Sequence, residues 1–291
     1  MKYSNPEIPE GINYSREHPL KEFFVLVFGV LLFFLSVVLV LGVLAETLAP
    51  YVPFSAELKI VSLHQPDEDV EPSPVQAYLQ GLAERLAAAQ GLPVDMPIQI
   101  HYVDSDVVNA FATLGGQIVV FRGLLEIVPN ENTLAMVIAH EIAHVKHRHP
   151  IKGLGRAVVI GTTVAMFNGA AGNDIVSDVL GEAGLLTALK FSRGQEREAD
   201  AEALQTLASF YGHVAGANEM LRLLQQQHDD TGLAAPEFFN SHPLTENRIE
   251  ETQALAIRNN WPSTGKMVLL PQAYAQWLQR TDGLAADAGA Q

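Results

Sequence analysis

From Phe23 to Ala45 the chain is apolar without a single charge, and Ser36 is the one hydroxyl residue in the run. A helix of this length spans about 34 Å, enough to cross a hydrocarbon core about 30 Å thick. It has no polar face, so it does not read as a helix half-buried on a soluble domain. A cleavable leader is the other candidate, but the run is longer than a leader's apolar core and no Ala-x-Ala site follows it. The pattern predicts a transmembrane helix at 23–45 behind a tail at 1–22. Lys2, Arg16 and Lys21 precede the span and Lys59 follows it, which predicts a cytoplasmic tail and an extracytoplasmic remainder.

After the span, Pro50, Pro53, Pro66, Pro72 and Pro74 and the acidic group Asp67, Glu68, Asp69 and Glu71 predict an extended linker over 46–73. Ser73 then reads as a helix N-cap with Pro74 in the first turn, and Val75, Leu79, Leu82 and Leu86 follow at helical spacing. Ile98, Ile100 and Tyr102 alternate as in a strand, and 107–111 begins a further element. Gly115-Gly116 marks a turn, and Gln117 to Phe121 reads as another strand. From Asn130 the spacing is helical almost to the end, giving a domain over 74–280 and a small, polar tail over 281–291 expected to be disordered. The apolar stretches 157–171 and 175–189 predict a helical hairpin. It either packs on the domain or dips into the bilayer, and the sequence leaves both open.

Composition narrows the chemistry. Among 291 residues, 18 Lys and Arg stand against 33 Asp and Glu, a net charge of −15, which disfavours nucleic-acid partners. There is no cysteine, so disulfides, thiolate metal sites and a cysteine nucleophile are excluded. A metal here must be held by histidine and carboxylate, and the chain has 10 histidines.

Residues 140–144 read His-Glu-Ile-Ala-His. Four residues apart on a helix, His140 and His144 project from one face and can present two imidazole nitrogens to one zinc ion, while Glu141 reaches the reacting water without binding the metal. The apolar run 134–139, with Asn130 as a cap, supplies the helix. A third histidine six residues on is absent, because that position is Pro150. Downstream, Glu196 and Asp200 share a helix face: Glu196 is the candidate third ligand, and Asp200 can accept a proton from a ligand imidazole. Glu198 points away from that face. Residues 117–122 offer two readings, an edge strand that pairs with an extended substrate through Gln117, Val119 and Phe121, or an ordinary strand of the core sheet.

Taken together, His140 to Val145, Arg148-His149, Phe191-Ser192-Arg193, Glu196, Ala199 and Asp200 resemble metallopeptidase family 48. Asn109 to Ala112 followed by Gly115-Gly116 and Ile118, and Ser241-His242-Pro243-Leu244 with Arg248 and Ile249, resemble further motifs of that family. The resemblance implies an α+β, mainly helical, zincin-like domain of the gluzincin type with a small β-sheet, preceded here by one transmembrane helix. It implies one Zn2+ per chain, a protein or peptide substrate, and a membrane-anchored metalloendopeptidase of protein quality control. It also places His242 and Arg248 near the site, Arg248 behind the ligands. Three roles stay open for His242: an oxyanion donor, a fourth ligand that holds the enzyme inactive, or a helix cap. Two other readings of the whole remain, a multi-span protease with a cytoplasmic site and a proteolytically silent, chaperone-like binding module.

Overall fold

The structure, a computed structural model, describes residues 19–62, 72–168, 190–223, 225, 242 and 247–279. Helix α1 runs Pro19–Leu48, longer at both ends than the apolar run that nucleates it. Within it, Ser36 Oγ donates back to the Leu32 carbonyl at 2.8 Å, so the lone hydroxyl is satisfied inside the helix. The segment 46–73, expected as an extended linker, contains a single-turn helix at Ala49–Tyr51 and helix α2 at Phe54–Ser62. Its prolines explain the difference: Pro50 sits in the first turn of the short helix and Pro53 directly precedes α2, where a missing N–H costs nothing. Residues 63–71 of that linker, the tail at 1–18, the segment 169–189 and the C-terminal tail at 281–291 lie outside the described residues.

Helix α3 spans Pro74–Ala89 and starts as expected, with the Ser73 hydroxyl accepting from Gln76 N. Its Val75, Leu79, Leu82 and Leu86 are all buried. The sheet has three strands, β1 (Gln99–Val103), β2 (Ala110–Ala112) and β3 (Gln117–Phe121), in the order β1-β3-β2. β1 runs parallel to β3 and β2 antiparallel to it. The β2–β3 turn needs glycine at Gly116: φ is 74°, and a Cβ there would stand 2.0 Å from the Pro97 carbonyl oxygen. The edge reading of β3 does not hold. β3 is the central strand, hydrogen-bonded on both sides, so Gln117, Val119 and Phe121 have no backbone left to offer a substrate.

Helix α4 (Arg122–Ile127) leads to α5 (Glu131–Lys146), whose first turn is closed by Asn130 Oδ1 accepting from Thr133 N at 2.9 Å. Every residue of α5 from Glu131 to Val145 is buried. The helix has no solvent face because α3, β2, α6 (His149–Asn168) and α7 (Arg193–Tyr211) pack around it. α7 begins with a reciprocal cap between Ser192 and Gln195 and ends at Gly212, φ 76°. Helices α8 (Arg248–Arg258) and α9 (Tyr274–Trp277) close the domain.

Between α5 and α6 the chain reverses at Arg148, a non-glycine residue with φ 59°. That conformation costs about 1–2 kcal/mol. The buried Arg148 guanidinium offsets it: Nη2 donates to Glu57 Oε1 at 2.6 Å and to the Val52 carbonyl at 2.8 Å, and the group lies 5.4 Å from the Phe54 ring centre. Glu57 in turn accepts from Gly115 N at 2.9 Å. Helix α2 therefore fastens both the exit of α5 and the β2–β3 turn. α6 leaves this corner antiparallel to α1: Ala49 clusters with Ile151 and Leu154, and Arg156 pairs with Glu46 at 3.0 Å.

Candidate metal centre

α5 presents His140 and His144 from one buried face, and α7 brings Glu196 to meet them. His140 Nε2 and His144 Nε2 are 3.0 Å apart, and each lies 3.4 Å from a Glu196 carboxylate oxygen. His242 completes the group, its Nδ1 3.1 Å from Glu196 Oε1 and 3.3 Å from His140 Nε2. One ligand atom from each of the four residues lies within 4.8 Å of every other. All the expected ligands and His242 are thus brought together across about 100 residues of sequence; Gln117, Val119 and Phe121 belong to the central strand instead.

The surroundings fix which nitrogens carry protons. His140 Nδ1 faces Asp200 Oδ1 at 3.0 Å, and a carboxylate only accepts, so the imidazole N–H is at Nδ1. Arg248 holds Asp200 with Nε at 2.8 Å and Nη2 at 2.7 Å, and its Nη1 is 2.9 Å from Glu196 Oε2. His144 has a different partner: its Nδ1 lies 2.8 Å from His149 Nδ1, and His149 Nε2 lies 3.1 Å from Glu198 Oε2. Glu198 accepts, so His149 carries its proton on Nε2 and accepts at Nδ1 from His144. Phe191 stacks on the His144 ring at 3.8 Å.

With both imidazoles neutral, the ligand Nε2 atoms aim lone pairs at each other and at a carboxylate, an arrangement that a cation, whether proton or metal ion, relieves. Charge counting agrees. Glu141, Glu196 and Asp200 are buried carboxylates against one buried guanidinium, Arg248, which leaves two negative charges for a divalent cation to balance. The donor set of imidazole and carboxylate suits zinc among such cations.

The electrostatics run the same way. Burial pushes the His140 imidazole down, but Asp200 and Glu196 outweigh it and raise it to about 10, so positive charge is favoured here. Burial dominates at His144 and holds it down at about 3. Glu196 lies well below the usual carboxylate range because the surrounding histidines, His242 foremost, overcome its burial. Asp200 is held at about 2, its burial outweighed by Arg248 and His140.

Glu141 stands beside the cluster and outside it. Its Oε2 accepts from Ala112 N at 2.8 Å, and its Oε1 faces His242 Nε2 at 3.4 Å. Burial raises its carboxyl above the ordinary value, with His242 only partly offsetting the effect. The contact with Ala112 marks the side of β2 that faces away from β3. Thr113 N donates to Gln117 O and Phe121 N to Asn109 O, so strand alternation turns the backbone groups of Ala110 and Ala112 away from β3. Among the described residues no strand pairs with that side.

A sequence model of peptidase family M48 matches residues 73–256, which contain every residue of this cluster. The chain belongs to peptidase family M48. The M48 peptidases are metal-dependent. The β-barrel assembly-enhancing protease of Yersinia pestis is 32% identical over 190 residues, covering 60% of this chain and 38% of its own length. The mitochondrial metalloendopeptidase OMA1 of Schizosaccharomyces pombe is 30% identical, covering 62% of this chain and 52% of its own. An HtpX protease homologue of Dictyoglomus turgidum is 29% identical, covering 62% and 70%. The chain thus spans from about two fifths to about half the length of the first two relatives. M48 membership agrees with the mainly helical domain, its small sheet and the apolar N-terminal helix.

The sequence assigned no role to His149. Its signal was weak because it lies past the end of α5, five residues beyond His144 and off the helical register. Only the reversal at Arg148 brings it back behind His144. Glu198 contributes through His149 rather than through the metal cluster.

Proposed function

We propose that this M48 chain is a zinc-dependent metalloendopeptidase, anchored by α1 and acting on unfolded or misassembled proteins on the extracytoplasmic side of the membrane. The observation that carries the reading is the convergence of His140, His144 and Glu196 with Glu141 held beside them by the backbone of β2. His140, His144 and Glu196 would hold zinc, leaving a position for substrate and water. When bound, zinc supplies Lewis acidity, polarising a carbonyl oxygen and making water more acidic.

The chain's own residues do the rest. Glu141, its pKa raised by burial, takes a proton from the attacking water and delivers it to the departing amine nitrogen. Asp200 and His149 keep the two ligand imidazoles in the tautomers that leave Nε2 free, and Arg248 keeps Asp200 ionised and in place. The outward groups of Ala110 and the outward carbonyl of Ala112, whose N–H serves Glu141, can pair with an extended substrate backbone, the role that the edge reading of 117–122 offered. Pairing of this kind reads backbone rather than side chains, which suits unfolded segments. The catalytic domain is taken as 74–280, with 49–62 fastened to it through Glu57. The cation bias around 23–45 supports the extracytoplasmic placement.

The test is metal analysis of the purified protein with casein as substrate. One zinc per chain, with cleavage abolished by a chelator and restored by zinc, is the expected outcome. Zinc-free protein, or cleavage that a chelator leaves intact, would overturn it.

A further inference from the structure

α6 links the metal centre to the anchor helix. Its first residue, His149, backs a ligand imidazole; seven residues later Arg156 pairs with Glu46, at the end of the apolar part of α1. Up to this level the two helices are in close contact, and a Cβ added at Gly155 would meet Ala45 Cβ at 3.3 Å. Beyond Arg156, α6 continues to Asn168 without one charged residue. Because the helices are antiparallel, this part runs back alongside the apolar stretch of α1. There Val37, Val38, Gly42 and Ala45 are the residues partly covered, while their neighbours on the other faces are exposed.

Three features of residues 157–163 are those of a helix in lipid. Val158 and Ile160 are apolar and 42% and 56% exposed. The hydroxyls of Thr162 and Thr163 donate back to the carbonyls of Val158 and Val159, leaving neither in need of water. Residues 157–168 include no charged residue, and the Arg156–Glu46 pair stands where an interfacial pair belongs.

We propose that residues 157–168 enter the bilayer beside α1, with acyl chains covering Val158 and Ile160, and that α6 holds the metal centre close above the membrane surface. The proposal rests on the reading of α1 as a membrane helix. Twelve residues past Arg156 reach about 18 Å, comparable to one leaflet of a core about 30 Å thick. From Arg156 back to His149 the rise is about 10 Å, which sets the metal centre about that far above the level of the interfacial pair. The protein is therefore held by more than a tether.

The chain has no cysteine, so single cysteines can be placed at will. Val158→Cys, Ile160→Cys, Leu35→Cys on α1 and Glu84→Cys on exposed α3 would be spin-labelled in the full-length protein, in liposomes. Circular dichroism and thermal unfolding would verify the fold. Collisional broadening by oxygen and by a water-soluble nickel chelate then reads the surroundings of each label. The expected result is loss of nickel broadening and gain of oxygen broadening at 158 and 160, matching Leu35 and opposite to Glu84. Aqueous signals at 158 and 160 with a lipid signal at Leu35 would overturn the proposal and leave the anchor standing. An aqueous signal at Leu35 would overturn both. Labels at 158 and 160 shielded from both reagents, with dipolar coupling between chains, would assign the face to a second copy and also overturn it.

Discussion

Arg248 grips both carboxylate oxygens of Asp200, at 2.8 and 2.7 Å, and so holds Asp200 against the Nδ1 of His140. The pair joins the first residue of α8 to the middle of α7, both buried. Asp200→Ala should weaken zinc affinity or activity about 10- to 100-fold. Chelator competition would measure the first and casein cleavage the second. Arg248→Lys should also lose affinity, because an ammonium cannot make the two parallel bonds. Unchanged affinity in both variants would remove the pair from any part in orienting His140.

His149 is expected to do for His144 what Asp200 does for His140. His149→Ala should lower zinc affinity by a comparable factor, about 10- to 100-fold. His149→Asn keeps a carbonyl acceptor and should recover part of it. Nitrogen-15 NMR offers an independent readout: His149 should be neutral with its proton on Nε2, in keeping with the burial that holds it at about 3. A proton on Nδ1 instead would contradict the directed chain His144–His149–Glu198.

His242 turns its Nδ1 toward the ligand cluster and its Nε2 toward Glu141. The position favours the fourth-ligand role over the helix cap. His242→Ala should then raise basal cleavage and reduce zinc affinity. An oxyanion donor predicts the opposite, a fall in turnover of about 100-fold or more with affinity preserved. Comparing kcat with zinc affinity in this one variant separates the two.

Glu57 is buried and accepts from Arg148 and Gly115. Removing it leaves a buried guanidinium beside a strained backbone. Glu57→Ala should cost about 3 kcal/mol or more, read as a fall in the thermal midpoint. A loss under about 1 kcal/mol would show that α2 is a passive spacer.

Much of the site was legible because its signals are local. His140, Glu141 and His144 follow from helical spacing, and the caps at Ser73 and Asn130 rest on short polar side chains placed before apolar runs. What was not legible depends on chain reversals and pairing. Strand order cannot be read from alternation, so the sequence left β3 open to both an edge and a core reading, and β1 and β2 flank it. The helix at 54–62 was masked by prolines that also initiate helices. The backing of His144 by His149 follows from one left-handed residue, Arg148, whose conformation the surrounding sequence does not announce.

The central claim is that Glu141 moves the proton and binds no metal. Glu141→Gln separates those roles in one protein, with metal content and peptide cleavage measured side by side. Zinc should stay bound as in the parent protein while cleavage falls about 100-fold or more. Loss of zinc from this variant, or cleavage within about twofold of the parent, would contradict it.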